Sequence, residues 1–112
     1  MTKMYFNKED AIEFGINEAI VIEYLKFWIK ANKKKKIGEY DNHHWTYATY
    51  STIAESFGFM NETQVRYTLK KLINSGILIT GNYNKFKYDR TTWYAFADEE
   101  KFLVWQKYLF VV

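Results

Sequence analysis

Between Thr49 and Tyr94 the chain changes its hydrophobic period in a fixed order: helix, turn, helix, strand, polar tip, strand. Thr49 or Ser51 is placed to cap the first helix, which would turn Ile53, Ala54 and Phe57 inward. Gly58 permits a tight turn, with Phe59 and Met60 plugging it from below. Asn61 followed three residues on by Gln64 has the form of a capping box that starts the second helix. At about 100° per residue, Val65, Leu69, Leu72 and Ile73 form one stripe of a helix running from about Glu62 to Ser75. Gly76 stands where a left-handed cap would end it. Ile77–Thr80 reads as a strand, Asn82–Asp89 as a polar tip and Thr91–Ala97 as the returning strand. This order constrains the fold more than any one residue does, because the stripe must face a core and the opposite side of the second helix must then face outward.

The flanking segments complete one domain over residues 1–112. Residues 1–32 hold two helices. Asn7 caps the first, with Glu9 and Asp10 complementing its dipole, and Gly15 ends it. Asn17 is expected to cap the second, in which Ile20, Val21, Tyr24, Leu25 and Trp28 recur at helical spacing as far as about Ala31. Lys33–His44, with its charges and Gly38, reads as a loop. His44–Tyr47 reads as a short strand that joins the later hairpin, so that residues 45–97 form the central unit. Asp98 caps a terminal helix over 98–112, with Glu99 and Glu100 in its first turn.

Composition removes several classes of function. The chain has ten Tyr, nine Phe and four Trp, enough aromatic surface to build a core. It has no Cys, which excludes disulfides, thiolate zinc sites and cysteine nucleophiles. No apolar run approaches the ~20 residues that span a bilayer, and Met1–Asp10 lacks a signal-peptide core. A cytoplasmic protein without membrane contact is expected. His43 and His44 read as loop histidines, since adjacent residues rarely ligate one metal. No serine–histidine arrangement or phosphate-cradling glycine loop is present, so no enzyme, cofactor or metal is expected.

Charge is unevenly distributed. Residues 61–94 carry four more cations than anions, whereas residues 1–32 carry one more anion than cations. A helix pair followed by a hairpin is the layout of a winged helix-turn-helix, whose second helix enters a DNA major groove by its N-terminal part. Fold class is therefore mainly α with a small antiparallel sheet (α+β). Asn61, Thr63, Gln64, Arg66 and Tyr67 are the expected base readers, Gln64 by bidentate contact with adenine and Arg66 with guanine. Lys70, Lys71, Asn74, Asn84, Lys85, Lys87 and Arg90 are the expected phosphate contacts. Tyr83, Phe86 and Tyr88 are interleaved with the tip cations, where they can stack or pack against sugar. The Lys33–Lys36 run reads as a solvated loop or, alternatively, as a further contact with a phosphate backbone. Phe102, Trp105, Leu109 and Phe110 make the last helix so apolar that a homodimer contact is expected there. An alternative from another class is the same fold used to bind a protein, as an inhibitor or adaptor.

The run IAESFGFMNETQVRYTLKKLINSGIL followed by NYNKFKYDRTTWYAF resembles the N-terminal winged-helix domain of bacteriophage and plasmid replication initiators, the replisome organisers of DnaD-like or O-protein-like layout. Trp45-Thr46-Tyr47 and Asp89-Arg90-Thr91-Thr92-Trp93-Tyr94 match that pattern, and AIVIEYLKFWI resembles the helix that precedes it; the likeness spans about Ala11 to Phe96. It implies binding of duplex DNA at an origin or operator, often as a dimer. Those initiators continue into a domain that recruits a helicase loader, whereas this chain stops at Val112. A stand-alone transcription regulator, or a small phage protein reusing the fold, is therefore the expectation.

Overall fold

The computed structural model describes residues 5–103. Helix α1 (Lys8–Phe14) starts where Asn7 Oδ1 accepts from the Asp10 amide at 2.9 Å. Helix α2 (Ile16–Lys34) follows after a single residue. Gly15, at φ 114° and ψ 158°, makes the corner and serves as N-cap, so Asn17 is not the cap but lies in the first turn. The conformation is open to glycine and closed to other residues, which is why one residue suffices. At its other end α2 extends three residues past the expected Ala31, to Lys34. Lys33 and Lys34 belong to its last turn, where cations favour the negative end of the helix dipole.

The segment expected to be a loop contains a hairpin. Strands β1 (Glu39–Tyr40) and β2 (His43–His44) pair with Glu39 opposite His44 and Tyr40 opposite His43. Asp41 and Asn42 between them both have positive φ, 51° and 64°, the demand of a type I′ turn. His44 therefore belongs to this hairpin, and only Thr46–Tyr47 (β3) joins the main sheet. That sheet has the order β3–β5–β4, with β4 at Leu78–Gly81 and β5 at Trp93–Phe96, all neighbours antiparallel.

Helices α3 (Tyr50–Phe57) and α4 (Glu62–Asn74) lie between β3 and β4 in sequence. They pack with α2 around Leu25, Ile29, Ile53, Val65, Leu69, Leu72, Leu78, Tyr94 and Phe96, all buried. A second, smaller cluster joins Trp45, Trp93 and Ala95 to Ile79 and Tyr83. Trp28, expected inward, is 42% exposed; α2 turns Ile22 and Ile29 to the core instead. Among the described residues no helix is long and apolar enough to cross a membrane.

Helix α5 (Glu99–Leu103) is capped by Asp98, whose Oδ1 accepts from the Lys101 amide at 3.1 Å. Phe102 stacks on Phe96 with centroids 5.0 Å apart and is only 5% exposed. It fills the chain's own core and is not available to a second copy. Trp105, Leu109 and Phe110, the other residues expected at a dimer contact, lie outside the described residues.

Candidate nucleic-acid interface

Local sequence sets the helix pair. Thr49 caps α3, its Oγ1 accepting from the Thr52 amide at 3.1 Å. Gly58, at φ 77°, closes the helix in the left-handed conformation, and its amide donates to Ala54 O at 2.9 Å. Met60 is buried under the turn, whereas Phe59, expected beside it, stays exposed and stacks on Phe57. Both arms of the capping box at α4 are made: Gln64 N to Asn61 Oδ1 at 2.8 Å, and Asn61 N to Gln64 Oε1 at 2.9 Å. The helix ends in a Schellman arrangement around Gly76, with Ile77 N donating to Leu72 O at 3.0 Å.

Val65, Leu69 and Leu72 are buried and Ile73 half-buried, the expected stripe. Thr68 is buried with them and satisfies its hydroxyl by donating to Gln64 O at 2.8 Å. Glu62 is exposed in the first turn, where its charge complements the helix dipole. The outward side carries Thr63, Arg66, Tyr67, Lys70 and Asn74, all exposed. Tyr67 is 70% exposed and, with Lys70, Lys71, Asn74 and Ser75, lines a hollow of about 360 Å³.

Four residues expected to contact DNA are already engaged. Asn61 and Gln64 hold each other in the cap. With Oε1 accepting from Asn61 N, the Gln64 side chain is folded back on the helix end, and bidentate contact with adenine would compete with the cap. Lys71 leans toward the α1–α2 corner: its Nζ donates to Phe14 O at 3.0 Å and lies 3.6 Å from Glu18 Oε1. It balances a carboxylate that is only 7% exposed, so it sits on the inner flank of α4. Asn84 is a brace inside the β4–β5 loop. Its Nδ2 donates to Asp89 O and Thr91 O at 2.9 and 2.8 Å, and its Oδ1 accepts from Trp93 Nε1 at 2.7 Å.

The other tip cations remain outward. Lys85, Lys87 and Arg90 are exposed and make no ion pair among the described residues; Lys85 Nζ lies 5.7 Å from the Phe86 ring centroid. Asp89, the carboxylate among them, accepts at Oδ1 from the Thr91 amide (3.0 Å) and hydroxyl (2.8 Å). These two bonds, the amide first, hold its carboxyl below the usual range. Arg90, Thr91 and Thr92 also line a cleft of about 190 Å³ with Thr49, Tyr50 and Tyr94, so the loop base meets the α3 N-terminus.

No family model matches the chain, and no curated protein or solved structure matches it. One feature of the arrangement is not legible in the sequence. Glu99, read as a dipole partner, also accepts from the His44 amide at 2.6 Å and lies 2.8 Å from its ring Nδ1, while Glu39 Oε2 lies 3.1 Å from Nε2. His44 thereby fastens α5 to the small hairpin. Phe86 and Tyr88 form a stacked, exposed pair at the loop apex. Tyr83, read with them as interleaved among the cations, is half-buried and packs on Tyr40, Trp45 and Trp93 instead.

Proposed function

We propose that the chain is a winged helix-turn-helix that binds double-stranded DNA, with α3 and α4 as the helix pair and the β4–β5 hairpin as the wing. One observation carries the reading. Helix α4 buries one side and turns Thr63, Arg66, Tyr67, Lys70 and Asn74 to water, their side chains making no hydrogen bond or ion pair among the described residues. These are the donor and cation types that meet base edges and phosphates. Arg66 and Thr63 become the principal readers, Tyr67 a flanking contact, and Lys70, Lys85, Lys87 and Arg90 the phosphate contacts. Asn61 and Gln64 position the helix end. The process that suits such a domain is replication or transcription control of the phage or plasmid kind, in a cytoplasm. A homodimer would have to use a surface other than Phe102; Ile12 and Ile16, both exposed at the N-terminal helices, supply apolar area for it.

Selection from random duplexes at two salt concentrations tests the reading. An enriched sequence is expected, with affinity falling as salt rises, by a slope of about 0.9 per phosphate contact. Arg66→Ala should relax discrimination at one base position. A flat pool and salt-insensitive binding would overturn it.

A second reading has its own observation. Tyr24, Trp28, Ile37 and Tyr47 wall a groove of about 330 Å³ between α2, β3 and α3, with Asn32, Lys35 and Thr52 among its lining. Phe27, beside Trp28 in sequence and packed on it, is exposed too. This supports use of the same fold as a protein-binding inhibitor or adaptor, which predicts a stable complex with a protein and no enriched duplex.

A further inference from the structure

The apex of the β4–β5 loop exposes two stacked rings. Tyr88 is 80% and Phe86 51% exposed, and the rings lie 15° from parallel with centroids 5.3 Å apart. The loop beneath them is tied at both feet. On one side Tyr83 packs on Tyr40, Trp45 and Trp93, and its hydroxyl donates to Asp41. On the other, Asn84 bridges Asp89, Thr91 and Trp93, and Asp89 N donates back to Phe86 O at 3.1 Å, closing a turn. The side chains of Lys85, Phe86, Lys87 and Tyr88 take no part in these ties and project from the braced loop. Solvated aromatic pairs held on a braced turn give up burial that a core would reward, so they mark a surface for a partner.

The chemistry of that partner follows from the neighbours. Lys85, Lys87 and Arg90 flank the rings, and Asp89 is turned toward Thr91. Flat apolar faces bordered by cations match stacked bases bordered by phosphates. We propose that Phe86 and Tyr88 act as a wedge that enters a base step of bound duplex DNA, so that the chain selects sites with an easily unstacked pyrimidine–purine step beneath the tip. Aromatic and other apolar side chains inserted in this way unstack a step and bend the duplex. Pyrimidine–purine steps yield most readily, which turns deformability into sequence preference at a position that need carry no hydrogen bond. The wedge rests on the duplex-binding reading of α4 and deepens it.

The experiment places 2-aminopurine at successive positions of the selected duplex and follows its fluorescence on titration with the full chain. End-to-end energy transfer reports bending in parallel. Fluorescence should rise at one step only, with the ends drawing together. Exchange of that step for a purine–pyrimidine one should weaken binding roughly tenfold. Phe86→Ala/Tyr88→Ala should abolish the rise and bind both duplexes alike, whereas Tyr88→Phe should keep the step preference. Both rings are exposed, and unchanged circular dichroism would confirm that the variants fold. A bound wild-type duplex with no fluorescence rise, or a rise that survives the double alanine change, would overturn the wedge while leaving the α4 reading intact. Preference for single strands over duplex would overturn it in favour of an open stacking platform. No duplex binding at any salt would overturn the α4 reading and the wedge with it.

Discussion

Asn84 Oδ1 accepts from Trp93 Nε1 at 2.7 Å across nine residues, while the Asn84 amide nitrogen holds two carbonyls of the same loop. Trp93 is buried, so removing the acceptor leaves an indole N–H without a partner. Asn84→Ala should lower stability by about 1–3 kcal/mol in urea unfolding. Stability unchanged with a loss of DNA affinity would return Asn84 to the phosphate contacts.

Lys70 and Lys71 are adjacent and should separate cleanly. Lys71→Ala removes the bond to Phe14 O and the cation beside Glu18. Its half-exposed charge limits the stability loss to about 1 kcal/mol, with little change in the salt dependence of DNA binding. Lys70→Ala should do the reverse: unfolding unchanged, and the salt slope lowered by about one. Equal slopes in the two variants would contradict the placement of Lys71.

Gly15 and Gly58 both have positive φ but differ in what surrounds them. At φ 114° and ψ 158° Gly15 occupies a region closed to side chains, and a Cβ there would also displace Glu18 Oε1, 2.1 Å away; Gly58, at φ 77° and ψ −7°, is left-handed with nothing within 4 Å of an added Cβ. Gly15→Ala should therefore cost more than Gly58→Ala, about 2–3 kcal/mol against about 1. Gly58→Asn should cost less than either, because asparagine tolerates the left-handed conformation. Thermal melting of the three variants orders them.

Alkaline stability should depend on Tyr94. Burial first, then the neighbouring Tyr50, pushes its hydroxyl up to about 12 from the ordinary 10. The folded chain thus favours the neutral phenol. That stabilisation is complete below pH ~10 and disappears as pH rises toward ~12, a loss of about 2 kcal/mol. Tyr94→Phe should flatten the decline, read from unfolding midpoints and tyrosinate absorbance. On the acid side the sign is opposite: the lowered Asp89 contributes above its ordinary carboxyl range, and its contribution goes as pH falls through the folded value.

Features with a short reach along the chain were legible in the residues. The caps at Asn7, Thr49, Asn61 and Asp98, the left-handed glycines at 58 and 76 and the Val65–Leu69–Leu72 stripe all depend on side chains within four residues of one another. The Asp41–Asn42 turn is equally local, but the charges around it read as a loop.

The identity of the outward polar groups was set elsewhere. Lys71 and Lys70 look alike until the α1–α2 corner arrives beside one of them, and Phe14 is 57 positions from Lys71. Glu99 reads as a dipole partner until the small hairpin brings His44 to it from 55 positions away. Asn84 reads as a solvated turn residue until β5 carries Trp93 under it. Helical period and capping follow from the covalent chain, so the sequence determined which side of α4 is polar. Which of those polar groups remain free to meet a partner depended on packing, because a hydrogen bond formed inside the fold removes a group from solvent whatever its residue type.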